Sequence, residues 1–99
     1  MSAWRVEVPP HVGDVIRHLP PEVKRGVKAA VRALAVDPAI GAPLRRNLEG
    51  FWKFRVRRYR LIYAIDRSTR VVRLFAVGHR RGIYEEIAAR TKRRPLVVR

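Results

Sequence analysis

The chain has 99 residues, with 23 Lys and Arg against 8 Asp and Glu, and a formal net charge of +15. That length supports one modest core, and a hydrophobic content of 47% excludes wholesale disorder. The absence of Cys excludes disulfide and thiolate chemistry, and the charge points to a polyanionic partner, with nucleic acid first among the candidates. No apolar run is long enough for a membrane span or a secretory signal, so a cytoplasmic chain with no membrane partner is expected. One domain is expected over residues 1–90, followed by a basic C-terminal tail over 91–99.

From Ala3 to Val8 the residues alternate, with Trp4, Val6 and Val8 on one side and Arg5 and Glu7 on the other, which predicts a first strand stopped by Pro9–Pro10. Val12, Val15, Ile16 and Leu19 then stand at the spacing of a short amphipathic helix. After Pro20–Pro21 a second helix carries Val23, Val27, Ala30, Val31 and Leu34 on one stripe, with Lys24, Arg25, Lys28 and Arg32 facing away. It should end near Asp37, because the residue before Pro38 avoids helical geometry. Helices joined this tightly form an αα-hairpin. Residues 39–50, with Gly41, Pro43 and Gly50, read as a loop carrying Arg45 and Arg46.

The stretch from Phe51 to Ile65 holds two alternating runs that meet at Arg57–Arg58. They lie too close for a crossover, so they pair as an antiparallel hairpin. With Arg57–Arg58 as the turn, Val56 opposes Tyr59, Phe54 opposes Leu61 and Trp52 opposes Tyr63 on an apolar face. On the other face Arg55 opposes Arg60 and Lys53 opposes Ile62. Like charges directly across a sheet repel, and a resting polyanion would relieve that. Solvated edge cations that resist aggregation are the plainer explanation, but no acidic residue lies between Glu49 and Asp66 to mix with them. A tight primed turn demands positive φ, which Arg disfavours, so a longer or looser turn is expected here. Asp66 to Thr69 reads as a second turn and Arg70 to Val77 as a nearly all-apolar strand, fit for the sheet's interior. Gly82 precedes a short last helix with i, i+4 pairs Ile83–Ile87 and Tyr84–Ala88. The expected architecture is α+β: an N-terminal strand and αα-hairpin packed on a small antiparallel sheet, with a short C-terminal helix. The second sheet face is expected to stay open and basic.

The carboxylates show no metal-binding pattern, no Gly-rich phosphate loop follows a strand, and His11, His18 and His79 lack zinc spacing, so neither metal nor cofactor is expected. RNA is cut without metal when its 2′-hydroxyl attacks the adjacent phosphate, provided a proton is taken, a proton is given and the phosphorane charge is stabilised. Arg offers a fixed fork for phosphate, and Lys a point charge whose pKa falls among other cations. Lys53, Arg55, Arg60 and Arg80 are the candidates, with Arg60 and Arg80 expected exposed on the open side. Tyr84, one helical turn past Arg80, either stacks on a base or packs on the sheet edge. If the chain is still extended there, His79 and Arg80 point to opposite faces, and Arg80 is preferred. Arg45, Arg46, Arg57, Arg58, His79 and Arg81 make up the expected RNA-contacting surface.

The segments Trp52–Lys53–Phe54–Arg55–Val56, Tyr59–Arg60–Leu61–Ile62–Tyr63 and Val77–Gly78–His79–Arg80–Arg81 with Tyr84 resemble the RelE/ParE superfamily of toxin–antitoxin toxins, from Trp4 to about Arg90. The resemblance implies an mRNA interferase that cleaves codons in the ribosomal A site, in contact with mRNA and rRNA, and held inactive by a cognate acidic antitoxin. It implies proton transfer and phosphate contact for Lys53 and Arg55, and transition-state stabilisation for Arg60. It matches Arg80 to the arginine after the Gly, and Tyr84 to a tyrosine that positions the base. His79 stands where some active members have Lys. A non-catalytic alternative is a ParE-like toxin directed at gyrase, or a basic RNA-binding module; the basic-plus-tyrosine set favours the RelE branch.

Overall fold

The computed structural model describes residues 3–45, 48–79 and 83. The predicted last helix and tail fall outside them, apart from Ile83. The elements in chain order are β1 (Arg5–Glu7), α1 (Pro10–Arg17), α2 (Pro21–Val36), a 3-10 turn (Pro38–Ile40), β2 (Ala42–Pro43), β3 (Trp52–Val56), β4 (Tyr59–Asp66) and β5 (Val71–His79). Both helices start on proline at their first turn, where no amide hydrogen is needed and φ is already set. Asp37 ends α2 in an extended conformation, and its carboxylate then accepts from the Ala39 N–H at 3.1 Å. One residue therefore stops a helix and starts the 3-10 turn.

The five strands lie in the order β1-β5-β4-β3-β2. Three pairings are antiparallel, and β1 runs parallel to β5, so the sheet is mixed. The β3–β4 register matches the expected one at every pair, from Val56↔Tyr59 to Trp52↔Tyr63. The turn between them is tighter than expected. Only Arg57 and Arg58 connect the strands, and Arg57 takes a φ of 56°. The first strand is shorter than the alternation predicts, because it meets only the start of β5 before Pro9.

Val23, Val27, Ala30 and Leu34 of α2 are buried against Val56, Leu61, Tyr63, Val72, Leu74 and Val77 of the sheet. This is the expected cover of the apolar face. In α1 the stripe is narrower than its spacing suggests: Val12 is buried and Val15 is 43% exposed. Ile16 and Leu19 pack against the same core but are only partly buried.

A second core lies on the opposite face and corrects the expectation of an open surface there. Phe51, Ile62, Ala76 and Ile83 are buried together, with Leu44, Leu48, Ala64 and Phe75 packed around them. The expected loop supplies much of this cover. Ala42 and Pro43 pair with Lys53 and Trp52, the Leu44 N–H reaches the Phe51 carbonyl at 2.9 Å, and the Phe51 and Phe75 rings meet at 4.7 Å. A register shift in β4–β5 makes both cores possible. Ile62 pairs with Ala76 and Tyr63 with Leu74, so Phe75 is the extra residue. Leu74 and Val77 thus both face the helices, while Phe75 and Ala76 both join the second core. No helix among the described residues is long and apolar enough to cross a membrane.

Candidate active-site cleft

Beside the second core, toward the hairpin turn, the same sheet face becomes basic. Arg55 and Arg60 are direct cross-strand partners, and Lys53 pairs with Ile62 on one side and Ala42 on the other. These three cations and Ile40, Gly41 and Ala42 line an open cleft of about 400 Å³. Three of the five expected catalytic residues, Lys53, Arg55 and Arg60, are therefore brought together. The other two, Arg80 and Tyr84, lie outside the described residues, as do Arg46 and Arg81 of the expected RNA surface.

The three cations differ in burial. Arg55 is exposed and Lys53 half-buried, whereas Arg60 is only 9% exposed. The expectation of an exposed Arg60 is corrected. β4 lies between two other strands, and Arg60 faces Gly78 of β5 across the ladder, against which Ile83 packs closely. Arg57 and Arg58 are exposed at the hairpin tip, and Arg45 is exposed on the loop. His79 pairs with Tyr59, and the two rings lie 4.8 Å apart. Tyr59 packs against the helix-side core, so His79 stands on the face opposite Arg60 and does not share the cleft.

Several carboxylates are engaged elsewhere. Arg73 reaches both Glu7 and Asp66 at 3.2 Å, and Arg17 bridges to Asp14. The Ser68 hydroxyl first, then Arg73 and Thr69, hold the Asp66 carboxyl well below the usual carboxylate range. Among the described residues no group of three or more His, Asp or Glu is placed to hold a metal ion. A dense cationic cleft of this kind can grip a phosphate and stabilise added negative charge on it.

The alternation of β3 and β4 does not reveal the opposite wall of the cleft. Ile40, Gly41 and Ala42, from the 3-10 turn and β2, form it, and the preceding Pro38 is bonded by the hydroxyl of Tyr63, a residue whose spacing marks it only as buried. The Tyr63 hydroxyl donates to the Pro38 carbonyl at 2.7 Å and accepts from the Gly41 N–H. Burial pushes its pKa up to about 12, the Gly41 hydrogen bond partly offsets the rise, and the Asp37 charge adds to it. The Gly41-x-Pro43 spacing was the available signal, since it marks a turn that brings backbone close to the sheet.

Comparisons with known proteins place the fold and the family. Residues 6–84 match the family described as the ParE toxin of type II toxin–antitoxin systems, parDE. The chain is 38% identical over 71 residues to the toxin RelG of Mycobacterium tuberculosis, covering 70% of this chain and 82% of that protein. A chain of the M. tuberculosis RelBE2 toxin–antitoxin complex superposes with a TM-score of 0.72 at 31% identity, over 79% of this chain and 99% of the other. A free-state mutant of the E. coli toxin RelE shares the fold with a TM-score of 0.75 at 23% identity, covering 95% of this chain and 99% of that one. The α+β fold of two helices on a five-stranded mixed sheet agrees with these structures. The chain belongs to the RelE/ParE superfamily and is a toxin of a toxin–antitoxin system.

Proposed function

We propose that the toxin is a metal-independent endoribonuclease acting on mRNA in the ribosomal A site. The observation that carries this reading is the convergence of Lys53, Arg55 and Arg60 on one cleft. In this mechanism the 2′-oxygen of the substrate attacks the adjacent phosphorus. The bond from phosphorus to the 5′-oxygen breaks, leaving a 2′,3′-cyclic phosphate and a 5′-hydroxyl. Arg60, nearly buried, supplies a charge already fixed before substrate arrives, which suits stabilisation of a phosphorane. Arg55 is exposed and meets the incoming phosphate. Lys53, half-buried two residues along β3 from Arg55, carries the proton-transfer role. Arg80 is proposed to share the phosphate contacts, and Tyr84 to stack on a base. Arg45, Arg46, Arg57, Arg58 and Arg81 extend the basic surface along mRNA and rRNA. His79 reaches RNA only beyond the cleft, from the other face.

A charge of +15 calls for an acidic partner, and relatives of this fold are found in complexes with the antitoxin RelB. A cognate acidic antitoxin acting in the cytoplasm is proposed to hold this toxin inactive. A second reading, a toxin directed at gyrase, is favoured by the match to the ParE family. Purified toxin on ribosomes programmed with a defined mRNA separates the two. Cleavage that survives EDTA and leaves cyclic or 3′-phosphate ends is expected. Intact mRNA, together with blocked replication on induction, would replace the ribonuclease by the gyrase reading.

A further inference from the structure

Tyr63 is fully buried, yet it carries a hydroxyl into the core. A buried hydroxyl is costly unless bonded, and this one is bonded twice to a single short segment, at the Pro38 carbonyl and the Gly41 N–H. The ring is fixed as well. Tyr63 pairs with Trp52 on β3 and Leu74 on β5, and it stacks on the Trp52 ring at 6.3 Å. Gly41 is fitted to the same contact from the other side. Its backbone is ordinary, with φ at −81°, so conformational freedom does not explain the glycine. Its surroundings do: a Cβ there would collide with both the Tyr63 hydroxyl and the Lys53 carbonyl. Residues 40–42 are the cleft wall that faces Lys53, Arg55 and Arg60.

We propose that the Tyr63 hydroxyl is a positioning group for the cleft. By strapping Pro38 and Gly41 to the centre of the sheet, it sets how closely the 40–42 wall stands to Lys53 and Arg55, and so how tightly an RNA backbone is gripped. The proposal rests on the ribonuclease reading for its ligand. The strap itself is a matter of structure and can be tested without RNA.

The test uses Tyr63→Phe, which keeps the ring and removes the two bonds, and Gly41→Ala, which pushes on the same contact from the wall side. Val72→Ala, a buried truncation elsewhere in the core, serves as a stability control. Two quantities are read: hydrogen exchange at the Gly41 amide, and affinity for a short single-stranded RNA made uncleavable by a 2′-deoxy group at the scissile position. In Tyr63→Phe the Gly41 amide should exchange faster while the β3–β4 ladder stays protected. RNA affinity should fall by about three- to tenfold, the range that one net hydrogen bond supplies. Gly41→Ala should weaken binding similarly, and the double variant should lose less than the sum, because both changes act on one contact. Unchanged Gly41 exchange in Tyr63→Phe would overturn the strap. So would a loss of affinity no larger than that in Val72→Ala at equal thermal stability. If the wild-type protein leaves mRNA intact on programmed ribosomes while Gly41 exchange rises in Tyr63→Phe, the strap stands and the ribonuclease reading falls.

Discussion

Arg57 sits at the hairpin tip with a φ of 56°, a region that a side chain with a Cβ disfavours. Holding such a residue left-handed costs about 1–2 kcal/mol. Replacing it by glycine removes that cost but adds about 0.5–1 kcal/mol of backbone entropy lost on folding. Arg57→Gly should therefore stabilise the protein by about 0.5–1 kcal/mol, or a rise in Tm of roughly 2–8 °C at the 4–8 °C per kcal/mol typical of a domain this size. Arg58→Gly is the internal control. Its φ is not positive, so the same change there should lower Tm. The functional effect runs the other way. Each phosphate contact to a single strand contributes about 0.7 to the slope of log affinity against log salt. Arg57→Gly should reduce that slope by about this amount. Thermal melts and RNA titrations across a salt series measure both effects on one preparation. A Tm that does not rise would mean that contacts of the arginine offset its backbone strain. A raised Tm with an unchanged salt slope would remove Arg57 from the RNA-contacting surface.

Arg60→Ala should lower stability by about 1–3 kcal/mol, since a nearly buried side chain loses its packing. Arg60→Lys should restore much of the Tm but not the cleavage rate, because the forked donor geometry is gone. Gly26→Ala should be neutral or destabilising by up to about 2 kcal/mol, because a helix gain of about 1 kcal/mol is set against overpacking of about 1–3 kcal/mol. The added Cβ meets Val56, and Val56→Ala in the same chain should recover stability, read by urea denaturation. The Tyr63 phenol ionises near pH 10 when unfolded and at about 12 when folded, so its contribution is whole below pH 10 and is lost as pH rises from 10 through 12. The wild-type protein should thus lose its stability advantage over Tyr63→Phe across that window, and parallel alkaline limbs in the two proteins would contradict it.

The parts legible in the sequence were those written in local periodicity. The β3–β4 register was fixed by alternation on both strands, since a slip of one residue would turn Trp52, Phe54, Leu61 and Tyr63 away from the helices. The stripe of α2 and its stop at Asp37 were legible for the same reason. Features that depend on distant partners were not. The parallel β1–β5 pair joins Arg5 to Val71 across most of the chain. The second core escaped notice because Leu44, Leu48 and Phe51 follow no strand or helix period, yet they fold back onto Ile62 and Ala76. The tight turn was misjudged because propensity argued against Arg at positive φ, whereas pairing along both strands imposes it.

The register shift at Ile62/Tyr63 ties these misses to the site. Strict alternation along β5 would turn Ala76 toward the helices and Val77 away from them. The extra residue at Phe75 reverses that and places Phe75 and Ala76 beneath the loop from Leu44 to Phe51. The apolar cover this creates ends where Lys53, Arg55 and Arg60 begin, so the sheet face is divided rather than uniformly basic. The division has a chemical consequence. A uniformly solvated row of arginines would place its charges in water, where each is mobile and screened. Here one cation is enclosed at the centre of the sheet, one is half-enclosed, and one is exposed at its rim. In the proposed mechanism the exposed charge would serve encounter with a polyanion, and the enclosed charge would need no reorganisation when negative charge develops nearby. Under the proposed ribonuclease reading, a partly closed face is better suited to the chemistry than the open basic face expected from the sequence.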